Sequence, residues 1–188
     1  LSKPIVQLVK IPRDSKIEDQ DMSYTEVYKD CIVNNEYRNS KIKSIVELIQ
    51  RNNSQARILI IVESLDHLSN LDDIDNVYTL EGVDDLTQRY KTIDTFLNHP
   101  ESSCLIGTKI MQTGINIQEI SHFINARGLK SESATLQALG RALRKQDGQE
   151  KVFVFDFLDP YKYLKAHSEN RKQSYENENH EVKVLNEN

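Results

Sequence analysis

The sequence feature that most constrains the fold is an alternation between short aliphatic runs and longer amphipathic segments. Residues 57–62 read Arg-Ile-Leu-Ile-Ile-Val, a continuous run that is typical of a strand buried on both faces of a parallel sheet. Just before it, residues 41–50 carry isoleucine and valine at the spacing of a helix with one apolar face, and Asn39 or Ser40 is the expected cap. A helix followed by a buried strand predicts that the helix packs on a sheet.

The same alternation continues along the chain. We predict strands at residues 76–80, 103–107, 121–126 and 151–157, helices at residues 24–33, 84–97 and 132–145, and a short helix opened by Ser64. Residues 1–12 form an extended segment and residues 13–21 a charged surface loop. Residues 161–175 are predicted to be helical, and residues 176–188 to form a peripheral, partly mobile tail rich in Asn and Glu. The pattern predicts an α/β fold with a mainly parallel, helix-covered sheet.

Charge and cysteine content narrow the range of functions. The net charge of −5 gives no overall attraction to phosphates, so any nucleic-acid contact must come from a local patch or from backbone amides. Cys31 and Cys104 lie far apart with no Cys/His cluster around them, which predicts buried thiols and no metal site.

No apolar run is long enough to span a bilayer and no secretion signal is present, so we expect a cytoplasmic protein that does not contact membranes.

The stretch with the clearest chemical content is Gln137-x-x-Gly140-Arg141-x-x-Arg144. On a helix, Gln137 and the two arginines project from one face, whereas three leucines at positions 136, 139 and 143 lie on another. Guanidinium groups suit bidentate recognition of phosphate, and Gly140 allows another backbone to come close. The alternative interpretation is an amphipathic helix whose arginines only solvate its outer face.

Gln137 to Arg144 resembles motif VI of the second helicase superfamily, whose arginines act on ATP bound between two RecA-like lobes. Upstream, residues 105–117 resemble motif V, residues 58–67 resemble motif IV, and Gly82 with Arg89 and Phe96 resembles the segment between them. The resemblance spans residues 24–175 and is strongest to phage UvsW-like and XPB-like DNA helicases, which share the Arg38-Asn39 pair and the pattern of His167-Ser168, Arg171 and Tyr175. His167 itself is interpreted as structural.

The resemblance implies a RecA-like three-layer sandwich, the C-terminal lobe of a helicase. It divides the chain into an N-terminal segment or inter-lobe linker (residues 1–22), the RecA-like domain (residues 23–158), and a C-terminal helix with a polar tail (residues 159–188). It also implies three sets of site residues: Gln137, Arg141 and Arg144 in catalysis, Gly114, Asn116 and Gly140 at ATP, and Ser64, Gly82, Thr108 and Lys109 at nucleic acid. Asn116 stands where the family more often has Asp.

Simpler interpretations exist for several of these residues. Gly114 and Asn116 suit a tight turn, because Gly and Asn tolerate left-handed backbone conformations. Ser64 suits a helix cap and Gly82 a turn. Thr108 is the exception, since ligands bind at the carboxyl ends of parallel strands and a hydroxyl there can hold a nucleic-acid phosphate.

Two motifs of a complete motor are missing from the sequence. There is no Gly-x-x-x-x-Gly-Lys-Ser/Thr loop, and no Asp-Glu pair follows an apolar strand to bind Mg²⁺. ATP and Mg²⁺ are therefore expected to be bound mainly by an N-terminal RecA-like lobe, and the chain alone is predicted to be inactive. The missing lobe and the missing initiator methionine favour a domain excised from a longer protein.

The resemblance implies a DNA helicase that remodels branched or R-loop substrates in recombination, repair or replication, with RNA as the alternative substrate. A second hypothesis is the motor lobe of a restriction or remodelling translocase, which shares the same motifs. A third is a RecA-like module that serves only as a protein-interaction platform. An intact motif VI argues against the third, because an interaction module has no need of two convergent arginines.

Overall fold

The central feature of the computed structural model, which describes residues 4–108, 119–131 and 151–185, is a parallel sheet. Its strands are β1 (Ile5–Lys10), β2 (Arg57–Ile61), β3 (Val77–Leu80), β4 (Ser103–Gly107), β5 (His122–Asn125), β6 (Phe153–Leu158) and β7 (Glu181–Leu185). They lie in the order β3-β4-β2-β5-β6-β1-β7, and each pairing between them is parallel. The parallel sheet expected from the sequence is confirmed.

Helices cover both faces of this sheet. They are α1 (Tyr24–Tyr28), which continues into a π-helix (Lys29–Val33), then α2 (Glu36–Asn52), α3 (Leu65–Ser69), α4 (Leu86–Leu97) and α5 (Leu164–Asn177). Ile58 and Ile60 of β2 pack into a core with α2 and α3, whereas Leu59 and Ile61 pack into a second core with α4 and α5. Alternate side chains of one strand therefore fill two cores, which makes three layers. No helix among the described residues is long and apolar enough to cross a membrane.

Helix α2 begins earlier than the apolar pattern predicted. Its N-cap is Asn35, whose side chain accepts a hydrogen bond from the backbone N–H of Arg38, so the prediction of Asn39 or Ser40 as cap was wrong. Arg38 and Asn39 lie inside the first turns and are buried. Because these two side chains are polar, apolar periodicity could not include them in the helix.

Both ends of the chain contribute strands. β1, within the segment expected to be extended, lies between β6 and β7, and its Val6 and Leu8 are buried. Glu181–Leu185, within the tail expected to be peripheral and partly mobile, forms β7 at the edge of the sheet. This strand is mostly exposed, so backbone pairing with β1 stabilises it more than side-chain burial does.

Two buried ion pairs join helices to β6 and to the residue that follows it. Arg38 of α2 donates from Nε to Asp159 at 2.8 Å, and its guanidinium lies 4.7 Å from the centre of the Phe157 ring. Arg171 of α5 donates to Asp156 at 3.1 Å, and the Tyr175 hydroxyl donates to the same carboxylate. The arginine and aspartate side chains of both pairs are at most 1% exposed. These charges are buried with full partners, as buried ions require.

Candidate functional site at the carboxyl edge of the sheet

Three predicted nucleic-acid contacts follow three neighbouring strands. Gly82 comes after β3, Thr108 after β4 and Ser64 after β2, and these strands are adjacent in the order β3-β4-β2. Gly107 pairs in register with Leu80 on one side and Ile61 on the other, so the three strands end at the same level. Because parallel strands share a carboxyl edge, the three residues belong to one row at the place where ligands bind to such sheets.

Ser64 is the N-cap of α3. Its Oγ accepts a hydrogen bond from the backbone N–H of His67 at 3.3 Å, and the residue is half-buried. The capping interpretation of Ser64 therefore holds. A capping hydroxyl still has its own proton to donate, so capping and a hydrogen bond to a phosphate oxygen are compatible.

Gly82 and Thr108 complete the row. Gly82 is exposed, and a Cβ atom added to it would meet no other atom within 4 Å. Its carbonyl accepts a hydrogen bond from Nη2 of Arg89 at 3.0 Å, which ties the turn after β3 to α4. Thr108 is half-buried and directly follows the last residue of β4. Local packing does not require glycine at position 82, whereas close approach of a ligand to the backbone would.

His67, three residues after Ser64 in α3, is buried. Its Nε2 is 3.0 Å from Oδ1 of Asn39 in α2, which joins α3 to α2. Burial lowers the pKa of His67 to about 3, and the neighbouring positive charge of Arg38 acts in the same direction. His67 is therefore neutral in the folded protein at neutral pH.

The free energy of unfolding is expected to fall as the pH drops from 6.5 towards 3, because the unfolded chain then binds a proton at His67 that the folded chain does not. This histidine alone accounts for a loss of about 2 kcal/mol between pH 7 and pH 5. Urea denaturation of the parent and of His67→Gln at both pH values measures it. The variant should lose less stability on acidification, and equal losses in the two proteins would show that His67 titrates normally.

An ion pair also lies at this edge, between the ends of β2 and β5. Arg127 donates from Nε to Glu63 at 2.8 Å, and the two side chains are 24% and 44% exposed. Neither residue was identified from the sequence. Their positions in the sequence could have indicated them, because each lies two residues after a buried strand. The two strands, β2 and β5, are neighbours in the sheet.

Two more residues missed by the sequence reasoning are Asp156 and Asp159. Asp156 interrupts the otherwise apolar strand Phe153–Leu158. A carboxylate within a buried strand requires a buried partner, and this signal could have predicted its pairing with Arg171. The Arg38-Asn39 pair and the pattern of Ser168, Arg171 and Tyr175 noted in the sequence thus have partners inside the fold.

Several predicted site residues lie outside the described residues. They are Lys109, Gly114, Asn116, Gln137, Gly140, Arg141 and Arg144. Within the described ranges, no group of three or more His, Cys, Asp or Glu side chains is arranged to hold a metal ion. Both cysteines are buried as free thiols, as expected.

Comparison with known proteins gives one family and one curated relative. Residues 40–146 match the family described as "Helicase conserved C-terminal domain". The ATP-dependent DNA helicase uvsW of Enterobacteria phage T4 is 29% identical over 110 residues, which are 58% of this chain and 22% of that protein. The chain thus spans less than a quarter of the length of this relative.

Solved structures resemble the whole fold. The crystal structure of T4 UvsW has a TM-score of 0.76 at 21% identity and covers 97% of this chain and 40% of its own. The C-terminal domain of the DEAD-box protein Dbp5 has a TM-score of 0.61 at 15% identity, over 97% of this chain and 89% of its own. At these identities the likeness concerns the fold, and it confirms the predicted RecA-like sandwich.

Proposed function

Because the chain belongs to the family of the helicase conserved C-terminal domain, matched over residues 40–146, we propose that it is the second motor lobe of an ATP-dependent DNA helicase or translocase. The observation that carries the nucleic-acid part of this proposal is the row of Gly82, Thr108 and Ser64 on three adjacent strand ends. Phosphates along one strand of nucleic acid are regularly spaced, so a row of hydroxyl and amide donors suits their recognition.

In this proposal the lobe supplies groups that act on ATP held by a first lobe. Arg141 and Arg144, with Gln137, would stabilise the negative charge that develops on the transferred phosphoryl group. Gly114, Asn116 and Gly140 would line the nucleotide on this side. Mg²⁺ would be held mainly by the first lobe, because this sequence has no Asp-Glu pair after an apolar strand to bind it.

Closure of the cleft between the lobes would link the two ligands. ATP bound between the lobes draws them together and brings the arginines to the phosphates. The row at the carboxyl edge, joined by Lys109, would then move with this lobe along the nucleic acid. The relative from phage T4 is named an ATP-dependent DNA helicase, which supports DNA as the substrate, and we propose branched or R-loop DNA in recombination, repair or replication.

The nucleic-acid role is tested by titrating single-stranded DNA and RNA into a two-lobe protein, in which a first RecA-like lobe is combined with this chain, across a range of salt concentrations. The logarithm of the dissociation constant should rise linearly with the logarithm of salt as bound counterions are released. Lys109→Ala should reduce the slope by about 0.7, the value for one phosphate contact on a single strand. A response independent of salt would contradict phosphate binding.

Ser64 has a matched control in Ser23. Both are serine N-caps whose Oγ accepts a backbone N–H at 3.3 Å, so replacing either by Ala should cost about 1 kcal/mol of stability. Ser64→Ala should in addition weaken DNA binding on the order of 10-fold at every salt concentration, the value of one hydrogen bond to a charged group. Ser23→Ala should not. Equal DNA affinities of the two variants would show that Ser64 is only a cap.

A further inference from the structure

The Glu63–Arg127 ion pair joins the residues that follow β2 to the residues that follow β5 at the carboxyl edge of the sheet. Glu63 directly precedes Ser64 in the chain, and Ser64 belongs to the row proposed to contact nucleic acid. Arg127 lies in the loop after β5, which leads along the chain towards Gln137, Arg141 and Arg144. The distance between Arg127 Nε and Glu63 Oε2 is 2.8 Å. A single contact therefore connects the end of β2 with the loop that precedes the proposed ATP-binding residues.

The loop after β5 is held by hydrogen bonds to three of its carbonyls. Nη1 of Arg38 donates to the carbonyl of Ala126 at 2.9 Å, the Tyr28 hydroxyl donates to the carbonyl of Arg127, and Nη1 of Arg171 donates to the carbonyl of Leu129. Side chains from α1, α2 and α5 thus each donate a hydrogen bond to one carbonyl of this loop. The position of the loop is thereby fixed relative to α1, α2 and α5, and the Arg127 side chain links it to Glu63 as well.

Gly128 tightens the same loop. Its φ of +64° lies in the left-handed region, and a Cβ atom placed on it would come within 2.7 Å of Cδ1 of Ile32. Any other residue would therefore be strained and would push against the π-helix. The loop is packed against its surroundings as well as hydrogen-bonded to them.

The end of β2 is held in a similar way. Ser64 caps α3, and α3 is attached to α2 through the contact between His67 and Asn39. A shift of Ser64 as it takes up a phosphate would carry Glu63 with it, because the two residues are adjacent in the chain. The ion pair would pass that shift on to Arg127.

The pair itself adds little to stability, because partly exposed ion pairs are screened by water and salt. We propose that Glu63 and Arg127 are coupling residues, through which occupation of the nucleic-acid row by a phosphate biases the loop that leads to the ATP-binding residues. This inference rests on the proposed motor function. The inference adds to that function a specific contact through which DNA stimulates ATP hydrolysis. This contact requires opposite charges at positions 63 and 127.

The test is the stimulation ratio, the kcat for ATP hydrolysis with single-stranded DNA divided by the kcat without it, measured on the two-lobe protein. Glu63→Gln and Arg127→Gln should each lower this ratio about 5-fold, the lower end of typical coupling between two sites. The exchanged pair, Glu63→Arg with Arg127→Glu, should restore it to within about 2-fold of the parent. The factor by which a non-hydrolysable ATP analogue tightens DNA binding should also fall in the single variants. Because coupling between two binding sites is reciprocal, DNA should tighten binding of the analogue by that same reduced factor.

Lys43→Gln is the matched control. Lys43 pairs with Asp73 at 2.8 Å, the two side chains are 31% and 68% exposed, and neither residue belongs to the carboxyl-edge row. Removing the positive charge of Lys43 should leave the stimulation ratio unchanged. A parent two-lobe protein without DNA-stimulated hydrolysis would reject the proposed function itself. A stimulated parent whose ratio survives in Glu63→Gln, or is not restored by the exchanged pair, would reject only the coupling role.

Discussion

Replacing Arg144 by alanine in the two-lobe protein is expected to lower kcat for DNA-stimulated ATP hydrolysis by about 10³-fold. The physical reason is that a guanidinium placed against the transferring phosphoryl group stabilises charge that is larger in the transition state than in bound ATP. The loss should therefore fall on kcat, with little change in the KM for ATP. Steady-state kinetics with saturating single-stranded DNA measures both quantities.

Arg51→Ala is the control for this experiment. Arg51 is an exposed arginine in the last turn of α2, so its removal takes away one positive charge without touching the carboxyl edge. It should keep the rate of the parent. Arg141→Ala should resemble Arg144→Ala, and the double variant should lose less than the product of the two single losses, because groups that act on one transition state are not additive. An Arg144→Ala protein with the kcat of the parent would reject the role of Arg144 at ATP.

Replacing Arg171 by methionine is expected to lower the free energy of unfolding by about 3–5 kcal/mol. The substitution matches the arginine side chain only as far as Nε, and without the guanidinium group it leaves Asp156 as a buried carboxylate without its cation. It also removes the hydrogen bonds that Arg171 donates to the carbonyls of Phe157 and Leu129. A loss of this size is a large part of the stability of a typical domain, so chemical denaturation should show a clear shift of the midpoint.

Lys172→Met is the corresponding control. Lys172 follows Arg171 in α5 and is half-buried, and the same change there removes a charge without opening an ion pair in the core. It should alter stability by less than about 0.5 kcal/mol, as surface substitutions usually do. If Arg171→Met were no more destabilising than Lys172→Met, the buried pair with Asp156 would not anchor α5 to β6.

Much of the fold follows from local sequence pattern. β4 has the bounds that were predicted, and β2 ends one residue earlier than the aliphatic run. Both strands are buried on both faces. Such burial favours the continuous aliphatic run of β2 and the small and aliphatic residues of β4, which can be recognised in the sequence. β7 could not be predicted in this way, because its side chains are mostly exposed and its partner β1 lies at the other end of the chain.

The candidate site, like the fold, could be predicted from the sequence only in part. That Ser64, Gly82 and Thr108 each end or follow a strand is visible in the sequence, but their alignment depends on the spatial order β3-β4-β2. Local pattern contains no information on which strands are neighbours. Local pattern also could not predict which carboxylates pair with Arg38 and Arg171, because these ion pairs join positions that are not neighbours in the sequence. The roles of Arg141 and Arg144 rest on the family's motif alone.

The most direct measurement of the proposed motor role compares ATP hydrolysis by this chain, by a first RecA-like lobe, and by the two combined, each with and without single-stranded DNA. Hydrolysis well above the sum of the separate lobes, and stimulated by DNA, is expected only for the combination, because in the proposed mechanism one lobe holds Mg-ATP and the other supplies the arginines. Equal hydrolysis by the separate and combined lobes, or turnover by this chain alone, would contradict it.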